Sequence, residues 1–387
     1  MILNKIFNMN RLSIILGLVL FPSILACQDN SAEEVVTEPM ESSQITAEKV
    51  VGGIEIGWGM AWLPNGDMLV TEKSGSLLVI RDGQLLDQTI GGLPQDLKVQ
   101  GQGGFLDIEL HPDYENNGWV YLSYASSSGQ GDGANTAIMR ARIQDNMLVD
   151  KEVLYKGEPN TTRGQHFGSR LQFDNDGFLF FSIGDRGNRD VNPQDITRDA
   201  GKIYRINDDG SIPSDNPFVG EAGAKEAIYS YGHRNPQGMA LNPESGQIWE
   251  HEHGPRGGDE VNIIRPGNNY GWPVISYGIN YNGTVFTEDT AKVGMEQPVV
   301  YWDPSIAPSG MEFITSDKYP GMKGDLLVGS LKFAYIEYCD VEGDEIVEQK
   351  RLVEGIGRVR EIEQGPDGYI YVSVEGDGIY RLIASGS

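Results

Sequence analysis

Cysteine is almost absent: the 387 residues contain two, Cys27 and Cys339. That scarcity excludes a thiolate-built zinc site, and if Cys27 is modified no intrachain disulfide can form. Histidine is nearly as rare, with five residues, and their spacing supports no His-only transition-metal site. Positive charge is short as well. Thirty Lys and Arg face 56 Asp and Glu, a formal charge of −26, which repels phosphate over most of the surface and excludes nucleic acid as a partner. Almost no segment carries a sustained helical period with caps. What abounds is glycine, 50 residues, with 39% hydrophobic content, the composition of a loop-rich globular protein.

The one long apolar run is "LSIILGLVLFPSILA" at 12–26, too short to span a bilayer comfortably. Preceded by Lys5 and Arg11 and followed by Cys27, it reads as a signal peptide over 1–26. "ILAC" approximates a bacterial lipobox, which would make Cys27 the lipidated N-terminus; ordinary cleavage is the alternative, since Leu25 is not the preferred residue there. Gln28 after the cysteine favours the outer membrane, so the expected location is the periplasmic face of the envelope. Residues 27–48 are polar and acidic without an apolar period and read as a flexible tether. The folded domain is expected over 49–387.

From there one phrase keeps returning, a turn followed by alternating apolar and aromatic residues. It occurs around Gly66, Gly118, Gly177, Gly246, Gly324 and Gly368, at spacings of 52, 59, 69, 78 and 44 residues. Asp-Gly and Asn-Gly pairs supply the positive φ of tight hairpins. Six units of this length predict an all-β, six-bladed β-propeller of four-stranded antiparallel blades, closed between the first and last repeats. A site would be built on the long connections, 186–228 and 255–310, read as running between blades.

Several polar residues sit in short glycine-flanked phrases: Gln102 in "GQGG", His166 in "GQHFGSRL", Asp185 in "SIGDRG", Arg234 and Asn235 in "GHRNPQG". "EHGPRGGDEVN" (252–262), Lys332 in "GSLK" and Arg358 and Arg360 in "GRVRE" complete the set. Each has a plain structural reading. His166 could be a turn residue bonded to backbone, Asp185 could close a turn, and Arg234 could pair with a surface acid. Arg358 and Arg360 share a strand face and repel unless an anion or a protein carboxylate lies between them.

In combination and order, these phrases resemble the soluble quinoprotein aldose sugar dehydrogenases, the glucose/sorbosone dehydrogenase family, over essentially all of 50–383. The resemblance implies a pyrroloquinoline quinone (PQQ) cofactor over the central channel and a Ca²⁺ held by the backbone carbonyls of Gly254 and Pro255. It implies Lys332, Arg358 and Arg360 at the cofactor carboxylates, where charge-assisted bonds are strongest, and Gln102, Arg234 and Asn235 at the quinone and ring edges. His166 would be the general base at the C1 hydroxyl of a cyclic aldose, oriented by Asp185, with Arg234 steadying developing charge and an aldonolactone as product. Glu260 and Tyr270, the latter through its backbone oxygen, would hold a second, structural Ca²⁺. Gln102, Asp185 and Trp302, in "YWDPSIAPSG", are the expected sugar contacts.

The resemblance further implies a separate electron acceptor, a quinone or cytochrome, since no haem attachment motif is present; a homodimer is allowed. Rival readings are a calcium-dependent lactonase or esterase on the same fold, and a non-catalytic binding propeller. Three clustered cations argue against the first, and the presence of His166, Asp185, Arg234 and Lys332 against the second. His111, in "LHPDY", is expected to be a turn residue.

Overall fold

The computed structural model describes residues 44–385. The signal segment 1–26, Cys27 and the tether as far as residue 43 lie outside them. The first strand, β1 (Ile45–Gly52), opens the domain, so residues 45–48, read as tether, are strand instead. Their exposed charges suited a tether, but they edge a sheet that only the far end of the chain supplies.

Twenty-four strands form six four-stranded antiparallel sheets. The first blade is β2 (Gly57–Trp62), β3 (Met68–Glu72), β4 (Ser76–Arg81) and β5 (Gln84–Leu85). The second is β6 (Phe105–Leu110), β7 (Trp119–Ser126), β8 (Asn135–Gln144) and β9 (Met147–Lys156); a single helical turn, α1 (Tyr114–Asn117), interrupts it. The third is β10 (Leu171–Phe173), β11 (Leu179–Ile183), β12 (Lys202–Ile206) and β13 (Ile228–Tyr231). The fourth is β14 (Pro236–Leu241), β15 (Ile248–Glu252), β16 (Asp259–Ile263) and β17 (Val300–Trp302). The fifth is β18 (Pro308–Phe313), β19 (Leu326–Ser330), β20 (Tyr335–Glu342) and β21 (Glu345–Leu352). The last joins β22 (Val359–Gln364), β23 (Ile370–Val374) and β24 (Gly378–Ala384) to β1, closing the ring as expected.

The repeated phrase is the hairpin between the first and second strands of each blade. All six of its glycines have positive φ, between 68° and 94°. Because these turns share one face, the starts of the first strands and the ends of the second strands share the opposite face. That face receives every candidate residue. The segments 186–228 and 255–310 contribute to it, chiefly through 186–201 and 264–299, and they run mostly within blades three and four, threaded by β12, β16 and β17; 303–307 connects blade four to blade five.

Apolar residues cluster between neighbouring blades, not in one central core. Leu69, Leu77 and Val79 of blade one meet Phe105, Val120 and Leu122 of blade two, all essentially buried. Second strands such as β11 are covered on both faces and are apolar almost throughout, whereas the outermost β21 is mostly exposed. The central channel is polar: Arg170, stacked on Trp58 at 4.4 Å, bonds Asp107 at 3.2 Å and also pairs with Glu361.

Candidate active site

His166 lies ahead of β10 in the left-handed region, at φ 59°. Its amide donates to a side-chain oxygen, Gln102 Oε1 at 2.7 Å, rather than to the backbone partner of the turn reading. The loops pack tightly enough that a Cβ on Gly184 would come within 2.5 Å of the His166 carbonyl, which explains the glycine flanks. The imidazole has a separate role. Nδ1 stands 2.6 Å from Asp185 Oδ1, and that carboxylate also accepts from Gly187 N at 2.6 Å and Trp272 Nε1 at 2.9 Å.

Three donors converge on Asp185, which is 1% exposed. Burial raises its pKa, but the His166 hydrogen bond and the Arg234 charge outweigh it and leave the group below its usual 3.8. An ionised carboxylate can only accept, so His166 carries its proton on Nδ1 and offers the Nε2 lone pair. Burial lowers the His166 pKa, Asp185 opposes and Arg234 assists, and the net value lies below 6.5. The ring is therefore neutral near pH 7.

Beside it opens a cavity of about 380 Å³, walled among others by Gln102, His166, Asp185, Arg234, Trp272 and Tyr281. Arg234 is held by the His253 carbonyl at 2.9 Å and lies over Trp272, its guanidinium carbon 5.3 Å from the ring centroid. Asn235 sits beneath the wall, not on it. Its Oδ1 accepts from Gly168 N at 3.2 Å, while its buried Nδ2 has no partner. Tyr281, 73% exposed, stands at the rim with its hydroxyl 3.4 Å from Arg234 Nη2.

The three expected cations stand outside that wall. Arg358 and Arg360 grip Glu375 between them, Arg358 Nε at 2.6 Å and Arg360 Nε at 2.9 Å. A protein carboxylate thus relieves their repulsion, one of the two resolutions open from the sequence. Arg358 remains 55% exposed, and Lys332 is exposed with Nζ on the Ser305 carbonyl at 2.9 Å. His253 connects clamp and base: burial first, then the charges of Arg234, Arg360 and His166, push its pKa down to about 3.

Neither the Gly254 nor the Pro255 carbonyl accepts a hydrogen bond from a described residue, and the two line adjoining cavities. Glu260 and Tyr270 line the second of these with Glu252, a space of about 20 Å³, room for a single ion or water. The Tyr270 hydroxyl is engaged by Ile263 O at 2.6 Å and Arg265 N at 2.8 Å, which leaves only its backbone oxygen for an ion. Just behind, His233, Glu250 and Glu252 present ligand atoms within 4.8 Å of one another. Burial opposes protonation of His233, but its bonds to Glu250 and Glu252 raise its pKa to about 9, and Glu250 Oε2 is buried without a partner. Burial and neighbouring carboxylates raise the pKa of Glu250 to about 7 and that of Glu260 well above its usual range, so a divalent cation bound there would displace protons.

The glucose/sorbosone dehydrogenase profile matches residues 54–382. The chain belongs to that family. Among its relatives is aldose sugar dehydrogenase YliI of Escherichia coli (strain K12), 42% identical over 334 residues, covering 85% of this chain and 89% of the relative. The crystal structure of the apo soluble aldose sugar dehydrogenase from Escherichia coli superposes with TM-score 0.84 at 39% identity, covering 88% of this chain and 99% of that one. The PQQ-bound aldose sugar dehydrogenase from Streptomyces coelicolor gives TM-score 0.72 at 26% identity, over 89% and 99% of the two chains.

Trp302, expected at the sugar, does not line the cavity. It is 9% exposed, donates Nε1 to Gln349 Oε1 at 2.8 Å and packs with Ala240 and Val261 between blades. As part of the short outer strand β17 it belongs to core packing. The tryptophan on the cavity is Trp272, and its place in the "NNYGWP" stretch of the family phrase was the available signal for it. His233 and Tyr281 went unnoticed too, as did Lys73, whose burial and proximity to Arg360 lower its pKa. Lys73 sits in the turn between β3 and β4, where a solvated turn lysine looks the same in sequence. His111 is a turn residue as expected, accepting the Asp113 amide at 2.9 Å.

Proposed function

We propose that the protein is a PQQ-dependent aldose sugar dehydrogenase that oxidises the C1 hydroxyl of a cyclic aldose to the aldonolactone. The observation that carries this reading is the His166–Asp185 pair, with a neutral imidazole that lines an open cavity beside Arg234. Support for the cofactor comes from a PQQ-bound relative and from donors suited to a tricarboxylate quinone. Those are the exposed Lys332 and Arg358, Arg360 with Lys73 nearby, and the unpartnered Asn235 Nδ2.

When bound, PQQ would supply the hydride-accepting ortho-quinone. His166 Nε2 takes the proton from the C1 hydroxyl, and Asp185 fixes the tautomer that leaves Nε2 free and steadies the imidazolium that forms. Arg234 offers fixed positive charge at the place where an oxygen becomes anionic, in a site that needs no reorganisation. Gln102, Asp185 and Trp272 border the sugar. The Gly254 and Pro255 carbonyls would hold Ca²⁺, which prefers oxygen ligands and would act there as a Lewis acid; Glu260 and the Tyr270 carbonyl would hold a second. Electrons leave to a separate quinone or cytochrome. The "ILAC" sequence at 24–27 supports a location on the periplasmic side of the envelope.

The test is to load the purified chain with PQQ and Ca²⁺, add glucose and other aldoses, and follow cofactor reduction by absorbance. Reduction that vanishes in His166→Ala with cofactor binding retained is the expected result. Failure of the folded protein to bind PQQ overturns the proposal.

A further inference from the structure

A second cavity, about 230 Å³, lies on the same face as the first and shares a partition with it. Along the segment 185–189 the side chains alternate. Asp185, Gly187 and Arg189 border the candidate active site, while Arg186 and Asn188 border the second cavity. Arg163 and His166 divide in the same way on the facing loop. The volume suits a small metabolite rather than a drug-sized ligand.

The charge in this cavity is unusual for a chain with 56 acidic and 30 basic residues. Arg186 is 2% exposed and forms no ion pair among the described residues; its guanidinium donates to the carbonyls of Gln165, Ala134 and Arg163 and lies over Phe167 at 3.4 Å. Its Nε is buried without a partner, and burial lowers its pKa to about 9. Arg163 is exposed and likewise has no carboxylate partner among the described residues. Two acids do border the space. Asp199 is already paired with Lys225 at 3.0 Å and bonded by Tyr155, and Glu158 has its charge beside Lys156. Arg198 pairs with Asp195, so Arg163 and Arg186 are the wall cations without a carboxylate partner among the described residues. A buried guanidinium lacking a counter-ion is costly unless an anion completes it.

The uncharged groups narrow the ligand. Asn135 and Asn160 bond backbone carbonyls and hold the wall. The Asn188 side chain and Asn192 Oδ1 bond no described residue, and Asn192 Nδ2 donates to the Asp185 carbonyl at 2.9 Å. Guanidinium matches carboxylate in a planar, two-bond fashion, and free amide groups match hydroxyls. We infer that this cavity binds a sugar acid, a carboxylate with adjacent hydroxyls. The choice rests on the proposed activity, because an aldonolactone adds water, opens to the aldonate and releases a proton. The product would then sit one residue behind His166 and Asp185.

Calorimetric titration of the full chain with gluconate tests the site without requiring turnover. Saturable binding is expected, weakened about tenfold or more by Arg163→Ala, the loss of one charge-assisted bond, and weakened by Asn188→Ala. It should persist in His166→Ala and in the presence of glucose. Three results overturn the inference: no gluconate binding, binding lost in His166→Ala but intact in Arg163→Ala, or inorganic phosphate binding as tightly as gluconate. Failure of sugar oxidation alongside normal gluconate binding would sink the proposed function and leave the site standing.

Discussion

Asp185→Asn separates a base from an ornament. The substitution keeps shape and volume but exchanges one acceptor oxygen for an amide donor, in a pocket where three donors converge. Trp272 Nε1 and the Gly187 amide cannot accept, so their hydrogens stay directed at residue 185. If the new amide NH₂ faces Trp272, two donors collide. If it faces His166 instead, it also meets the Gly187 amide, which donates to that same oxygen, and Nδ1 must become the acceptor, so the imidazole proton moves to Nε2. Nε2 then carries a hydrogen and cannot act as a base. A tautomer reversal of this kind costs about 10⁴ in kcat in a serine protease, about 5.4 kcal/mol at 1.36 kcal/mol per decade. A loss of about 10³ to 10⁴ is expected here.

The assay is steady-state turnover of PQQ- and Ca²⁺-loaded protein with glucose and an artificial acceptor, with circular dichroism and cofactor titration as controls. The pH profile adds a second readout. A base is competent when unprotonated, so wild-type kcat should be flat above 6.5 and fall as pH drops through the lower His166 value. A folded, cofactor-binding Asp185→Asn enzyme within tenfold of wild type would refute the pair's role.

Removing the Glu375 charge should strengthen PQQ binding, because Glu375→Gln releases both arginines; Arg358→Ala should weaken it by roughly ten- to a hundredfold, one charge-assisted bond, with little change in stability at so exposed a site. Equilibrium titration with PQQ reads both, and a weaker Glu375→Gln complex would count against the clamp. Trp302→Phe should leave the sugar KM unchanged and lower denaturant stability, whereas Trp272→Phe should change kcat by loosening Asp185. Glu260→Gln should reduce the rise in thermal midpoint that Ca²⁺ produces in wild type, as expected for a ligand of a folded-state ion. Arg170→Ala should destabilise by about 3–5 kcal/mol in urea unfolding, because it leaves Asp107 and Glu361 buried and unpaired.

The hairpin glycines and the alternation that follows them are local features, so the sequence alone determined six blades and the face on which each strand begins. Positive φ at Gly66 or Gly368 depends only on neighbouring residues and is legible wherever it occurs. The phrases around His166, Asp185 and Arg234 were legible for a related reason, since close loop packing demands glycine on either side. Partnership across the ring was not. Which tryptophan meets Asp185, whether Glu375 or a ligand lies between Arg358 and Arg360, and that Ile45 begins a strand all depend on residues far apart in the chain. Such pairings follow from how blades close on one another, and only the tertiary structure brings those groups within hydrogen-bonding distance.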